Sequence, residues 1–171
     1  YEVITAVKKT PVLAGVCGTD PFLMPEHFLK ELIGLGFAGI QNFPTVGLFD
    51  GIFRRNLEDT GMGYQREVEL IALAHEMDLL TTPYVFTREE ARLMTEAGAD
   101  IVVAHMGLTM GGDIGARKTK TLQDCVSEAQ AIVDVCKSVR SDVLLLCHGG
   151  PIATPNDSQF IFDHCTGVDG F

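Results

Sequence analysis

Short apolar runs, each stopped by Gly, Pro or Asp, recur along the chain. Between them, apolar positions fall three and four residues apart. Val12–Val16 (VLAGV), Phe37–Asn42, Leu79–Tyr84, Asp100–Ala104 (DIVVA) and Val143–Cys147 (VLLLC) read as strands, and Gly167–Phe171 begins another. Hydrophobicity that is continuous rather than alternating marks strands buried on both faces, as in a parallel sheet covered by helices. The intervening patterns predict helices. One starts at Pro25 and turns Phe28, Leu29, Leu32 and Ile33 inward, before Gly34 and Gly36 end it. Tyr64–Met77 places Val68, Leu70, Ile71 and Ala74 on one face, and Thr87-Arg88-Glu89-Glu90 is a capping box. Thr121 caps a helix with Leu122, Val126, Ala129, Val133 and Cys136 inward; Thr154-Pro155-Asn156-Asp157 opens another that runs to about Cys165. Val3–Lys9 reads as the tail of a helix ended by Pro11. From Phe43 to Gly63 the pattern predicts a long glycine-punctuated loop with a charged centre, a lid or a subunit contact.

Strict alternation of strand and helix means a parallel sheet, either open and doubly wound or closed into a barrel. No G-x-G-x-x-G follows the first strand, which weakens a dinucleotide fold and argues against NAD. Polar, chemistry-bearing residues stand at the end of nearly every strand, which favours an α/β (β/α)8 TIM barrel. Six strands are expected where such a barrel needs eight. The chain also opens in a helix and closes in a strand. It therefore reads as a single barrel domain over residues 1–171, a fragment lacking the first two βα units and the final helix.

A formal net charge of −10 argues against a nucleic-acid or anionic-membrane partner, which needs a basic face, yet leaves room for a small anionic substrate held by local donors. No apolar run approaches the ~18 residues of a membrane span. The five cysteines form no C-x-x-C pair, a usage that fits reduced, buried thiols of a cytoplasmic protein and argues against zinc.

Chemistry is expected at the strand ends. His105 follows DIVVA and His148 follows VLLLC, each leading into a glycine-rich loop, so the two imidazoles are candidate acid/base groups. Gly111-Gly112 and Gly149-Gly150 are candidate anion cradles; the second pair reads equally as a sharp turn before Pro151. Asp20, in GTDP, is a candidate base or metal ligand, or the side chain of an Asx-turn. Asn42 and Thr45 can hydrogen-bond a substrate carboxylate, and Tyr84 can donate its phenol.

Five ordered stretches, VLAGVCGTDP, GIQNFPTVGLFDG, TTPYVF, DIVVAHMGLTMGG and LCHGGPI, together resemble the TIM-barrel phosphoenolpyruvate hydrolase-like family. That family is similar in fold to the phosphoenolpyruvate mutase and isocitrate lyase group. It also forms the C-terminal half of larger plant and microbial proteins, a plant virus-resistance protein among them. The resemblance implies a hydrolase or lyase acting on phosphoenolpyruvate or a related enolpyruvyl or phosphorylated acid, with Mg²⁺, and a homo-oligomer. It equally implies the alternative of a non-catalytic barrel that senses a ligand or binds a protein partner. The acidic metal-binding motifs of the mutases find no place on this sequence.

Overall fold

Helix caps and strand-ending glycines divide the chain where the hydrophobic pattern predicts. The structure is a computed structural model describing residues 2–171. In chain order it contains α1 (Glu2–Ala6), β1 (Leu13–Gly15), α2 (Pro25–Leu35), β2 (Gly39–Gln41), a 3₁₀ turn (Val46–Leu48), α3 (Gly51–Asp59) and α4 (Tyr64–Glu76). There follow β3 (Leu80–Thr81), β4 (Tyr84–Val85), α5 (Arg88–Glu96), β5 (Ile101–His105), α6 (Leu122–Val139), β6 (Leu144–His148) and α7 (Pro155–His164).

Two corrections to the expected elements have plain causes. The predicted strand Leu79–Tyr84 is divided into β3 and β4 at Thr82-Pro83, where proline has no N–H for a ladder. The predicted loop between Phe43 and Gly63 contains the nine-residue α3, none of whose residues is buried. A helix without a buried face leaves no apolar stripe to read. The expected last strand is reduced to a parallel bridge between Gly170 and Leu146.

The chain divides into two compact units, one running to Tyr84 with Ala97–Asp100 added, the other comprising Val85–Glu96 and Ile101–Phe171. In the first, β1, β2 and β3 form a parallel sheet in that order, with Leu13 opposite Gly39 and Gly39 opposite Leu80. Leu29, Leu32, Ile40, Leu70, Ile71 and Ala74 lie in its core, so α4 buries the face that its spacing predicts, whereas on α2 only Leu29 and Leu32 of the predicted face are buried and Ile33 is exposed. Each such aliphatic side chain contributes roughly 1.5–3 kcal/mol through removal from water. Gly39 is required where it stands: a Cβ there would lie 2.0 Å from the Leu80 carbonyl oxygen.

In the second unit the order is β4-β5-β6, and β5 and β6 run parallel in a register that ends with His105 opposite His148. Val102, Val103, Leu145 and Cys147 of these strands and Ala129, Ile132, Val133 and Cys136 of α6 are buried. Thr121 and Thr154 each accept from the amide three residues on and are answered by the carboxylates of Asp124 and Asp157, closing both capping boxes. The observed architecture is therefore α/β with two three-stranded parallel sheets. Among the described residues, no helix is long and apolar enough to cross a membrane.

Candidate functional site

The register of β5 on β6 brings the two predicted imidazoles side by side. Their ring centroids are 5.3 Å apart, edge to face at 78°. Phe86 packs 4.9 Å from the His105 ring and Phe171 lies 5.9 Å from the His148 ring, so the pair sits between two aromatic walls. His105 is buried, and its Nδ1 accepts from the amide of Gly107 at 3.1 Å. That bond assigns the tautomer: the proton of the neutral ring is on Nε2. Burial, with a smaller contribution from the neighbouring His148 ring, pushes His105 down to about 4. Burial also lowers His148, which is only half-buried. Near neutral pH the site thus holds two uncharged rings, one a fixed Nε2–H donor and the other more open to solvent.

Gly149 and Gly150 are present for packing as well as for turning. Both have positive φ and both are buried. A Cβ on Gly149 would come 2.3 Å from the Gly107 oxygen, and one on Gly150 would come 2.6 Å from the Met106 oxygen. The Gly150 amide donates to the Gly107 carbonyl at 2.7 Å, Met110 donates to the Gly150 carbonyl at 2.9 Å, and Met106 donates to the His148 carbonyl at 2.8 Å. The expectation that paired amides at Gly149-Gly150 cradle an anion is corrected for Gly150, whose N–H is already used. The sharp-turn reading describes it. Gly111 and Gly112 lie in an exposed loop with open space where a Cβ would stand.

The remaining predicted residues belong to the first unit. Asp20 is exposed, and its Oδ1 accepts from the Phe22 amide at 2.9 Å, which is the Asx-turn reading. Among the described residues, no three His, Cys, Asp or Glu side chains are grouped to hold a metal ion.

Asn42 and Thr45 are also corrected. Both are buried and both serve Glu67: Asn42 Nδ2 and Thr45 Oγ1 donate to Glu67 Oε2 at 2.5 and 2.7 Å, and the Val46 amide donates to Oε1 at 2.8 Å. Asn42 Oδ1 in turn accepts from the Tyr84 amide at 2.7 Å. Their polar atoms are engaged in the fold. The Tyr84 phenol is raised by burial, against a bond to Gln41, and its ring meets Phe43 edge-on at 6.0 Å.

Glu67 is the residue sequence reasoning missed. It lies on the inward face of α4 and is fully buried. Burial raises it to about 7, although the Val46 amide, Thr45, Asn42 and Arg54 all pull the other way. Its spacing gave a signal, since it stands three before Leu70 and four before Ile71, on the apolar stripe. Gly18 permits the helix to come close, for a Cβ there would sit 3.2 Å from the Glu67 Cα.

Comparison with known proteins bears on the same residues. The chain matches the phosphoenolpyruvate hydrolase-like family over residues 1–171. It belongs to that family. It is 57% identical over 170 residues to the tomato (Solanum lycopersicum) ToMV susceptible protein tm-1(GCR26) and, equally, to the ToMV resistance protein Tm-1(GCR237). In both cases 99% of this chain is covered but only 22% of the relative, so it spans about a fifth of their length. The solved structures it resembles are TIM-barrel-like enzymes. One is a candidate phosphonomutase from Burkholderia cenocepacia, matched at TM-score 0.57 and 11% identity over 94% of this chain and 67% of that one. That likeness establishes the fold alone.

Proposed function

We propose that this member of the phosphoenolpyruvate hydrolase-like family acts on phosphoenolpyruvate or a closely related enolpyruvyl acid, with His105 and His148 as its proton-handling pair. The observation that carries the reading is the edge-to-face contact of two neutral imidazoles on adjoining strand ends, one held in a single tautomer. Hydrolysis of the phosphate ester by water releases phosphate and the enol of pyruvate, which must gain a proton at its methylene carbon. A fixed Nε2–H on His105 can hydrogen-bond the enolic oxygen without surrendering its own proton, because a neutral imidazole loses its remaining N–H only by forming an imidazolate, far above neutral pH. His148, less buried, is the ring that exchanges a proton with solvent and delivers it. No step is routed through a metal.

The test is to incubate the full-length protein with phosphoenolpyruvate, with and without Mg²⁺, and to follow phosphate and pyruvate. We expect turnover that falls by roughly 10²–10⁴-fold in His148→Gln, the range typical of a lost acid/base group. A folded wild-type protein with no turnover above buffer removes the assignment.

A second reading has its own observation. Phe49, Ile52 and Phe53 are exposed around α3, with the two phenylalanine rings 5.0 Å apart, an apolar surface suited to a protein partner or a second copy of the chain. On that reading the barrel-like fold binds or senses, and catalyses nothing.

A further inference from the structure

The glycine turns leave the anion of such a substrate without a full cradle, and the second unit offers another place for it. An open groove of about 470 Å³ runs between the start of α5 and the exposed flank of α6. That volume lies within the range of small-ligand sites. Its floor is apolar, made of Phe86 and Ile132, and its rim carries the hydroxyls of Thr87 and Ser127 with the cations of Arg88 and Lys120. Glu128 also lines it and pairs with Lys120. Arg88 has no ion pair among the described residues, whereas Arg92, the other arginine of α5, is clamped by Glu89 and Glu96.

Phe86 joins this groove to the histidines. Its ring lines the groove and also packs 4.9 Å from His105. Its amide is fixed by Glu90 Oε2 at 2.9 Å, and the first turn of α5 is secured by the bond from the Glu90 amide to Thr87 Oγ1 at 3.1 Å. The backbone that carries the shared Phe86 ring is therefore held in place.

We propose that this groove is the anion-binding subsite of the histidine centre, taking the phosphate or carboxylate of a small organic acid against Arg88 and Lys120 while its apolar body lies on Phe86 and Ile132. The inference rests on the proposed function for which end of the substrate reaches His105, but not for the binding itself. A guanidinium fork suits an oxyanion bidentately, and hydroxyls beside it complete the coordination. Glu128 competes with the ligand for Lys120. The subsite therefore differs from a merely solvated basic rim in one measurable way: removing Glu128's charge should strengthen it.

The experiment is a calorimetric titration of phosphoenolpyruvate, and separately of inorganic phosphate, into the purified protein without added metal. Phosphoenolpyruvate is expected to bind more tightly than phosphate, which leaves the apolar floor unused. Affinity for phosphoenolpyruvate should fall about tenfold or more in the double variant Arg88→Met/Lys120→Met, fall by a smaller factor in Arg88→Lys, which keeps the charge but loses the fork, and rise severalfold in Glu128→Gln. All these side chains lie at the surface, and circular dichroism with the thermal midpoint confirms each fold. Wild-type affinity in the double variant, no binding to the wild-type protein, or no gain in Glu128→Gln overturns the subsite. If the double variant binds normally while His148→Gln loses turnover, the groove is wrong and the histidine chemistry stands. If binding depends on Arg88 but the wild-type protein turns nothing over, the groove stands and the reaction falls.

Discussion

His105 shows how one hydrogen bond and one neighbour decide a residue's chemistry. The Gly107 amide takes Nδ1, so any proton bound in acid must be accepted at a position already receiving one, in a buried ring beside another imidazole. We expect imidazole NMR resonances of His105 to stay neutral until about pH 4, and those of His148 to titrate below the ordinary value of 6.5. His105 titrating near 6.5 would mean that the ring is solvated. Asn42 makes the same point for amides. It bridges Glu67 to the Tyr84 backbone, and Asn42→Ala strips a buried carboxylate of one donor and an amide of its acceptor. A loss of about 2–4 kcal/mol in chemical denaturation is expected, the usual scale for buried polar groups left unpaired. The two histidines were legible because each terminates a visibly apolar run. Glu67 was not, because the donors that keep it inside come from Asn42 and Thr45, 25 and 22 positions earlier, and non-local pairing leaves no periodic trace.

At the scale of elements, legibility followed burial. α6 announced both its cap and its face, and α7 its cap, since a Thr-x-x-Asp box is local and an inward stripe repeats. α3 announced neither, having nothing buried. Strand pairing was legible only in outline: the alternation of β and α told of parallel ladders, but not that Pro83 would break one strand into two. Gly39 provides a test of the β2–β3 ladder. With a substituent at 2.0 Å from the Leu80 oxygen, Gly39→Ala must push the strands apart, and we expect a loss of about 2–4 kcal/mol, as for overpacked backbone contacts. An unchanged denaturation midpoint would show that β3 yields without cost.

For the whole molecule, the two units carry buried titratable groups of opposite habit. Glu67 has its pKa raised to about 7, so the folded first unit binds more protons than the unfolded chain between pH 4.5 and 7. Its stabilisation is full below 4.5 and is lost as pH rises through 7. His105 is lowered to about 4, so the folded second unit binds fewer protons between 4 and 6.5. Its stabilisation is full above 6.5 and is lost as pH falls through 4. Where the windows overlap the slopes oppose each other, and overall stability should be nearly flat in pH. Hydrogen exchange resolved by segment should separate them, with acid loosening Ile101–His148 while the α4 region tightens. Glu67→Gln should abolish the second effect and leave the first. Parallel behaviour of both segments would contradict the assignment.

The stitching of Gly150 to Gly107, of Met110 to Gly150 and of Met106 to His148 has a consequence for how this fold can vary over time. A bracket fastened at three points cannot lengthen on one side without tearing the other. Natural variants should therefore tolerate inserted residues beyond Met110 and beyond Ile152, and reject them between either histidine and its stitches. Diversity would then accumulate around the mouth while the two rings keep their spacing.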